Sequence, residues 1–375
     1  MNIPMVDLQG QYRKLKTEID AEIQQVLDNS NYINGSVVKD FAKDLEHYLG
    51  VKHVIPCGNG TDALQVAMMA LGLKPGDELI TTTFTFIATA EVIALLGLRP
   101  VLVDVLEDTM NIDPEAIRKA ITSKTKAIVP VHLFGQCANM EEIMVIADEY
   151  KLFVIEDNAQ AIGANYRFKS GVIKKAGTIG HIGCTSFFPS KNLGAYGDGG
   201  AIFTNDDKMA EQMRAVVNHG MKVRYYHDYV GVNSRLDSIQ AAVLKVKLPH
   251  LDAFAMARNK AANYYNTAFA SCSKMTTPVT ADFTDHVFHQ YTLVLKNVDR
   301  EGLQKHLNDK GIANAVYYPV PLHQQKAYRD ERYQDGDFPI AEKLAANVMS
   351  LPIHTEMTDE QLKFIADAVL EFVEK

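Results

Sequence analysis

A chain of 375 residues, 47% hydrophobic and 22% charged, is longer than one ordinary core needs and too apolar for wholesale disorder. Its net charge of -8 and pI near 5.8 argue against a non-specific nucleic-acid binder, which needs a basic face, but leave room for a local phosphate pocket. Cys57, Cys137, Cys184 and Cys272 are scattered without a CxxC pair, which points to reduced thiols in the cytoplasm and to no metal site or disulfide framework.

The first twenty residues lack the apolar run of a secretory signal. Residues 14–30 and 38–49 then read as amphipathic helices, and 61–72 as a third helix. The turn Pro75-Gly76-Asp77 leads into a strand, Glu78 to Thr82. Ala88 to Leu96 is helical and Pro100 to Val105 is an apolar strand. Glu91, Arg99, Pro100 and Asp104 interrupt this apolar stretch, so no membrane span is expected. Asp113-Pro114 opens a helix, with the aspartate as N-cap and the proline at the first helical position. A strand (Ala127 to Val131), a helix (Met140 to Tyr150) and a strand (Leu152 to Ile155) follow. Short apolar strands alternating with helices predict an α/β fold with a mostly parallel sheet covered on both faces. Two more strands, 183–188 and 199–204, flank a glycine-rich loop. Helices are expected over 206–219 and 234–271, a strand over 288–296, and helices over Arg300–Asp309, Ala341–Val348 and from Asp359 onward. The pattern divides into a large domain, 1–250, with an N-terminal helical segment, and a smaller C-terminal α+β domain, 251–375. No repeat and no low-complexity linker separates them.

Three segments carry residues suited to chemistry. Asp157 closes the apolar strand Leu152-Phe153-Val154-Ile155; in parallel sheets ligands lie beyond the carboxyl ends of strands, so it either meets a ligand or caps the next turn. Lys191 stands between an apolar strand and Gly194, Gly197, Gly199 and Gly200. It is either a solvated loop lysine or, in a protected place, an amine able to lose its proton and attack. Cys57-Gly58-Asn59-Gly60-Thr61-Asp62 leads into an apolar helix, as an ordinary N-cap or as a phosphate seat of free amides and a hydroxyl. It is no Walker motif, and no GxGxxG follows an early strand.

In order, GNGTDAL, TFTFIATA, IEDNAQAIGA, TSFFPSKNLGAYGDGGAIFTND and GVNSRLDSIQAAVL resemble the pyridoxal-phosphate (PLP) dependent sugar aminotransferases of the DegT/DnrJ/EryC1 group over nearly the whole chain. The resemblance implies a fold-type I aminotransferase whose large domain binds PLP, and a homodimer with shared active sites. It implies Lys191 as the Schiff-base lysine and proton carrier, Asp157 facing the pyridine nitrogen, Gln160 on the ring hydroxyl and Phe86 stacked on the ring. Gly60, Thr61 and Ser186 match the phosphate seat, Asn233 the residue reaching it from the second subunit, and Arg235 and Tyr317 the sugar contacts. From the residues alone, Phe86 reads first as core, Gln160 as an ordinary polar residue, Asn233 as a loop residue, and Arg235 as a surface charge or an ion-pair partner of Asp237. The implied reaction moves an amino group from glutamate to C3 of a nucleotide-linked keto hexose, for surface polysaccharide or glycoconjugate synthesis. C4 amination and a PLP-dependent sugar dehydration are the alternatives. Asn158 where relatives carry alanine, Tyr317 before Tyr318-Pro319 where some carry histidine, and a longer segment from Lys169 to Gly177 depart from the pattern.

Overall fold

The computed structural model describes residues 1–374. Helices α1 (Leu8–Asn29) and α2 (Ser36–Leu49) precede a strand, β1 (His53–Cys57). The alternating part follows: α3 (Gly60–Ala70), β2 (Glu78–Thr82), α4 (Ala88–Leu95), β3 (Arg99–Val103), α5 (Pro114–Ala120), β4 (Thr125–Val129), α6 (Met140–Tyr150) and β5 (Phe153–Asp157). A hairpin, β6 (Asn165–Arg167) and β7 (Ile173–Lys175), leads to β8 (Ile182–Ser186) and β9 (Gly200–Thr204). Then come α7 (Asp207–Val216), the hairpin β10 (Met221–Val223) and β11 (Tyr226–His227), α8 (Ser238–Lys247) and α9 (Leu251–Phe269). The last part holds β12 (Met275–Thr276), β13 (Tyr291–Leu295), α10 (Arg300–Asp309), α11 (Pro339–Asn347), β14 (Val348–Leu351) and α12 (Asp359–Val373).

Seven strands form one sheet in the order β1-β9-β8-β5-β4-β2-β3, in which β9 alone runs against the rest. Its middle strands are apolar along their length because both faces are covered. On one face Leu64, Leu79, Ile155, Ile202 and Met213 share a core; on the other Ile80, Ile128, Met140, Ile146 and Val154 share another. Ile155 and Val154 fall on opposite faces, as strand alternation requires. A further core rests on the antiparallel sheet β12-β13-β14, with Tyr265, Phe269, Tyr291, Leu303, Ile365 and Val369. Ile3 joins it, held by its amide to Gly311 at 2.8 Å and by the Ala313 amide to its carbonyl at 2.9 Å. Among the described residues no helix is long and apolar enough to cross a membrane.

The predicted Asp113 cap forms, accepting from the Glu115 amide at 2.9 Å. Elsewhere the boundaries move for identifiable reasons. α1 starts six residues early because Asp7 caps the Gly10 amide at 2.8 Å. The helix expected over 234–271 is two, because Pro249 has no amide to continue the ladder and Leu248–His250 tightens into a 3₁₀ turn. Residues 234–237 stay outside it, with the Ser234 amide bonded to Val217. Asn347 ends α11, and Val348 already belongs to β14.

Candidate active site

Asp157 lies at the carboxyl end of β5 and is 5% exposed. Its backbone is fixed to the loop after β4: its amide donates to Pro130 at 2.9 Å and its carbonyl accepts from the His132 amide at 3.0 Å. Oδ1 accepts from the Ala159 amide at 3.1 Å, a local turn contact of the kind a cap makes. Oδ2 accepts from the Thr89 hydroxyl at 2.7 Å, across to the first turn of α4. The carboxylate therefore has a neutral donor at each oxygen and lone pairs to spare.

Lys191 lies in the loop from β8 to β9, its amide bonded to the Phe188 carbonyl at 2.8 Å. The half-buried side chain offers its ammonium no hydrogen-bond partner among the described residues, and burial pushes its pKa down to about 8 against the opposing pull of Asp157. Three anchors shape the loop. Asn192 donates to the Val287 carbonyl at 2.9 Å, the Tyr196 amide donates to Gln240 at 2.8 Å, and the buried Lys247 donates to the Gly194 carbonyl at 2.8 Å. A side chain at Gly194 would come within 2.2 Å of the Pro189 carbonyl, so the loop closes on itself only with glycine there.

Helix α3 begins beside this loop. The Asn59 side chain accepts from the Asp62 amide at 2.8 Å and leaves the Gly60 and Thr61 amides without an acceptor among the described residues. Gly60 sits against Ser186, where a Cβ would meet the Ser186 Cβ at 2.6 Å. Two free amides at a helix start, with the Thr61 and Ser186 hydroxyls, form an anion seat.

The remaining predicted residues form the wall and mouth. Gln160 is buried; its Oε1 accepts from the Phe134 amide at 2.7 Å and its Nε2 donates to the Tyr318 hydroxyl at 3.0 Å, leaving one amide hydrogen over. Phe86 is 54% exposed, which excludes the core reading, and its ring lies 6.3 Å from that of Tyr318. Tyr317 turns to Gln290, so of the adjacent tyrosines Tyr318 is the one that meets Gln160. Arg235 makes no ion pair with Asp237; it reaches Asn218 at 3.5 Å. Asn233 is exposed, its backbone bridged to Asn218. Asn158 points away, donating to the Ala176 carbonyl at 3.0 Å, and so ties down the inserted hairpin β6–β7. Thr89, Tyr318 and Lys247 have no role assigned from sequence. Thr89 lies inside the TFTFIATA block and Tyr318 follows Tyr317 in the Tyr-Tyr-Pro segment, whereas nothing marks Lys247.

A seven-stranded sheet with one reversed strand, its lysine loop facing a strand-end carboxylate, defines an aminotransferase of fold type I, the PLP-dependent class. The DegT/DnrJ/EryC1/StrS aminotransferase family matches residues 13–370, and the chain belongs to it. It is 48% identical over 374 residues to a protein of Geobacillus stearothermophilus named a pleiotropic regulatory protein, covering 99% of both chains. It is 45% identical to the UDP-2-acetamido-2-deoxy-3-oxo-D-glucuronate aminotransferase of Pseudomonas aeruginosa, covering 98% of this chain and 99% of that one. The crystal structure of DesV from S. venezuelae, 39% identical, superposes with a TM-score of 0.96 over 100% of this chain and 99% of that chain.

Proposed function

We propose that this enzyme transfers an amino group from glutamate to the C3 keto carbon of a nucleotide-linked hexose. The observation that carries the reading is an unpartnered lysine amine with a pKa near 8, close enough to a buried carboxylate to feel its charge. When bound, PLP supplies an aldehyde to carry the amino group and a ring to accept electrons from the substrate carbon. The residues fit that group: an anion seat at Gly60, Thr61 and Ser186 for the phosphate, Asp157 for the ring nitrogen, the spare Gln160 hydrogen for the ring hydroxyl, and Phe86 to cover the ring. Lys191 would hold the cofactor at its aldehyde end, and its amine, titrating near working pH, is suited to take a proton from the substrate carbon and return one. Asp157 would face the ring nitrogen, where its carboxylate would favour the protonated form.

Arg235 and Tyr317 are proposed sugar contacts. Asn233 is proposed to complete the phosphate seat of a second copy. In support, the hairpin β10–β11 and the segment after it leave Val223, Tyr225, Tyr226 and Val230 uncovered, more apolar surface than an isolated loop keeps in water. The proposed division into domains near residue 250 is supported by the separate core on the small sheet. The name of the Pseudomonas relative supports C3 of a UDP-linked uronate.

The test is incubation with PLP, glutamate and a panel of UDP- and dTDP-linked 3-keto and 4-keto sugars, with products identified by mass and NMR. A 3-amino sugar together with 2-oxoglutarate is expected. A 4-amino product would overturn the C3 reading, and no aminated product from any sugar would overturn the reaction.

A further inference from the structure

One buried carboxylate–imidazole pair is left unused by this reading. Glu156 precedes Asp157 on β5, so its side chain points to the opposite face of the sheet and cannot touch what Asp157 touches. It is fully buried, and each of its four partners is a donor. Oε1 accepts from the Ile179 amide at 2.6 Å and the Gly180 amide at 2.5 Å. Oε2 accepts from the Gly177 amide at 2.8 Å and meets His132 Nε2 at 2.8 Å. The Ala138 amide donates to His132 Nδ1 at 3.1 Å, so the ring proton sits on Nε2 and is given to Glu156. His132 is itself fully buried.

The pair thus clamps two loops to the end of β5: residues 177–180, which lead into β8, and residues 130–138, which follow β4. The second loop holds the ring-facing residues, since Pro130 and the His132 amide fix the Asp157 backbone and the Phe134 amide fixes Gln160. Without the imidazole this loop loses its tie to the carboxylate and to Ala138 together.

We propose that Glu156, through the His132 imidazole, is a positioning residue that sets where Asp157 and Gln160 meet the cofactor ring. The inference rests on the proposed facing of Asp157 to that ring. Glu156→Gln sets an amide NH₂ against two N–H donors in either orientation and endangers folding, so the test uses His132. His132→Asn keeps an acceptor for Ala138 but falls short of Glu156; His132→Gln reaches Glu156 with a donor. The dissociation constant of PLP and the visible absorption band of the bound form are measured for both, for Asp157→Asn and for wild type, with urea unfolding of each.

Loss of one buried charge-assisted hydrogen bond predicts about tenfold weaker PLP binding and a displaced band in His132→Asn, with His132→Gln within about threefold of wild type. A less stable His132→Asn with unaltered affinity and band would make the pair merely structural and overturn the proposal. Equal losses in the two His132 variants would overturn the route through the Nε2 donor. If Asp157→Asn also leaves affinity and band unchanged, the reading of Asp157 falls as well; if it alters them and His132→Asn does not, only this inference falls.

Discussion

Replacing Lys191 by methionine should abolish transamination and yet stabilise the cofactor-free protein. The amine titrates at about 8 instead of 10.5 because burial penalises its charged form. At about 1.4 kcal/mol per pH unit, that corresponds to a cost of about 3 kcal/mol to the folded apoprotein at neutral pH. Water at the cleft mouth reduces it to about 2 kcal/mol. Below pH 8 the amine is charged in both folded and unfolded chains and the full cost stands. Between 8 and 10.5 the folded protein has released the proton and the unfolded chain has kept it, so wild-type stability rises with pH. Above 10.5 the cost is gone. Methionine has similar bulk and no charge. Urea unfolding of the two apoproteins should show Lys191→Met ahead by about 2 kcal/mol at pH 7, with the gap falling by about half by pH 9.5. Other titrating groups, Lys247 among them, occur in both proteins and cancel. A variant no more stable than wild type, or a gap that stays flat with pH, would refute the claim that an unpaired buried amine sits there.

Gly60→Ala places a methyl group 2.6 Å from the Ser186 Cβ; PLP affinity should fall more than tenfold, read by titration of the visible band. Thr89→Val keeps the shape and removes the 2.7 Å donor from Asp157. Turnover should drop about tenfold or more while KM for the sugar nucleotide holds, since a hydrogen bond to a charged group contributes about 1.5–3 kcal/mol. Lys247→Met removes the anchor at Gly194; amide hydrogen exchange over residues 192–197 should speed up without loss of global stability, because the buried amine, with a pKa near 8, carries its own burial cost.

What was legible in the sequence is what local pattern encodes. The apolar run ending at Asp157, the glycines after Lys191 and the small residues before α3 each announce their geometry within a dozen positions. β1 went unread because Pro56 argues against a strand; it is tolerated here on an edge strand paired only with β9. The hairpin β6–β7 went unread because Ile173-Lys174-Lys175 is short and charged, with no alternation to see. The hydrogen-bond partnerships between distant side chains left no trace in local pattern. His132 and Glu156 stand 24 residues apart, Thr89 and Asp157 68 apart. Nothing in Tyr317-Tyr318 says which ring turns toward Gln160, because that depends on how the chain from the small sheet crosses the mouth of the large one.

The separation of Lys191 from Asp157 is itself chemically meaningful. A direct ion pair between them would raise the lysine's pKa and hold its proton, leaving an ammonium unable to attack. Instead Asp157 is occupied by Thr89 and by the Ala159 amide, both neutral, while the amine is given burial and no acceptor. Burial is the larger influence on Lys191 and the aspartate's charge the smaller, so the net effect is toward the free base. The carboxylate is satisfied by neutral donors, and no cation is spent on it. That arrangement keeps a base and an anion in one cleft without their neutralising each other, and Thr89, the residue that makes it possible, carries no charge of its own.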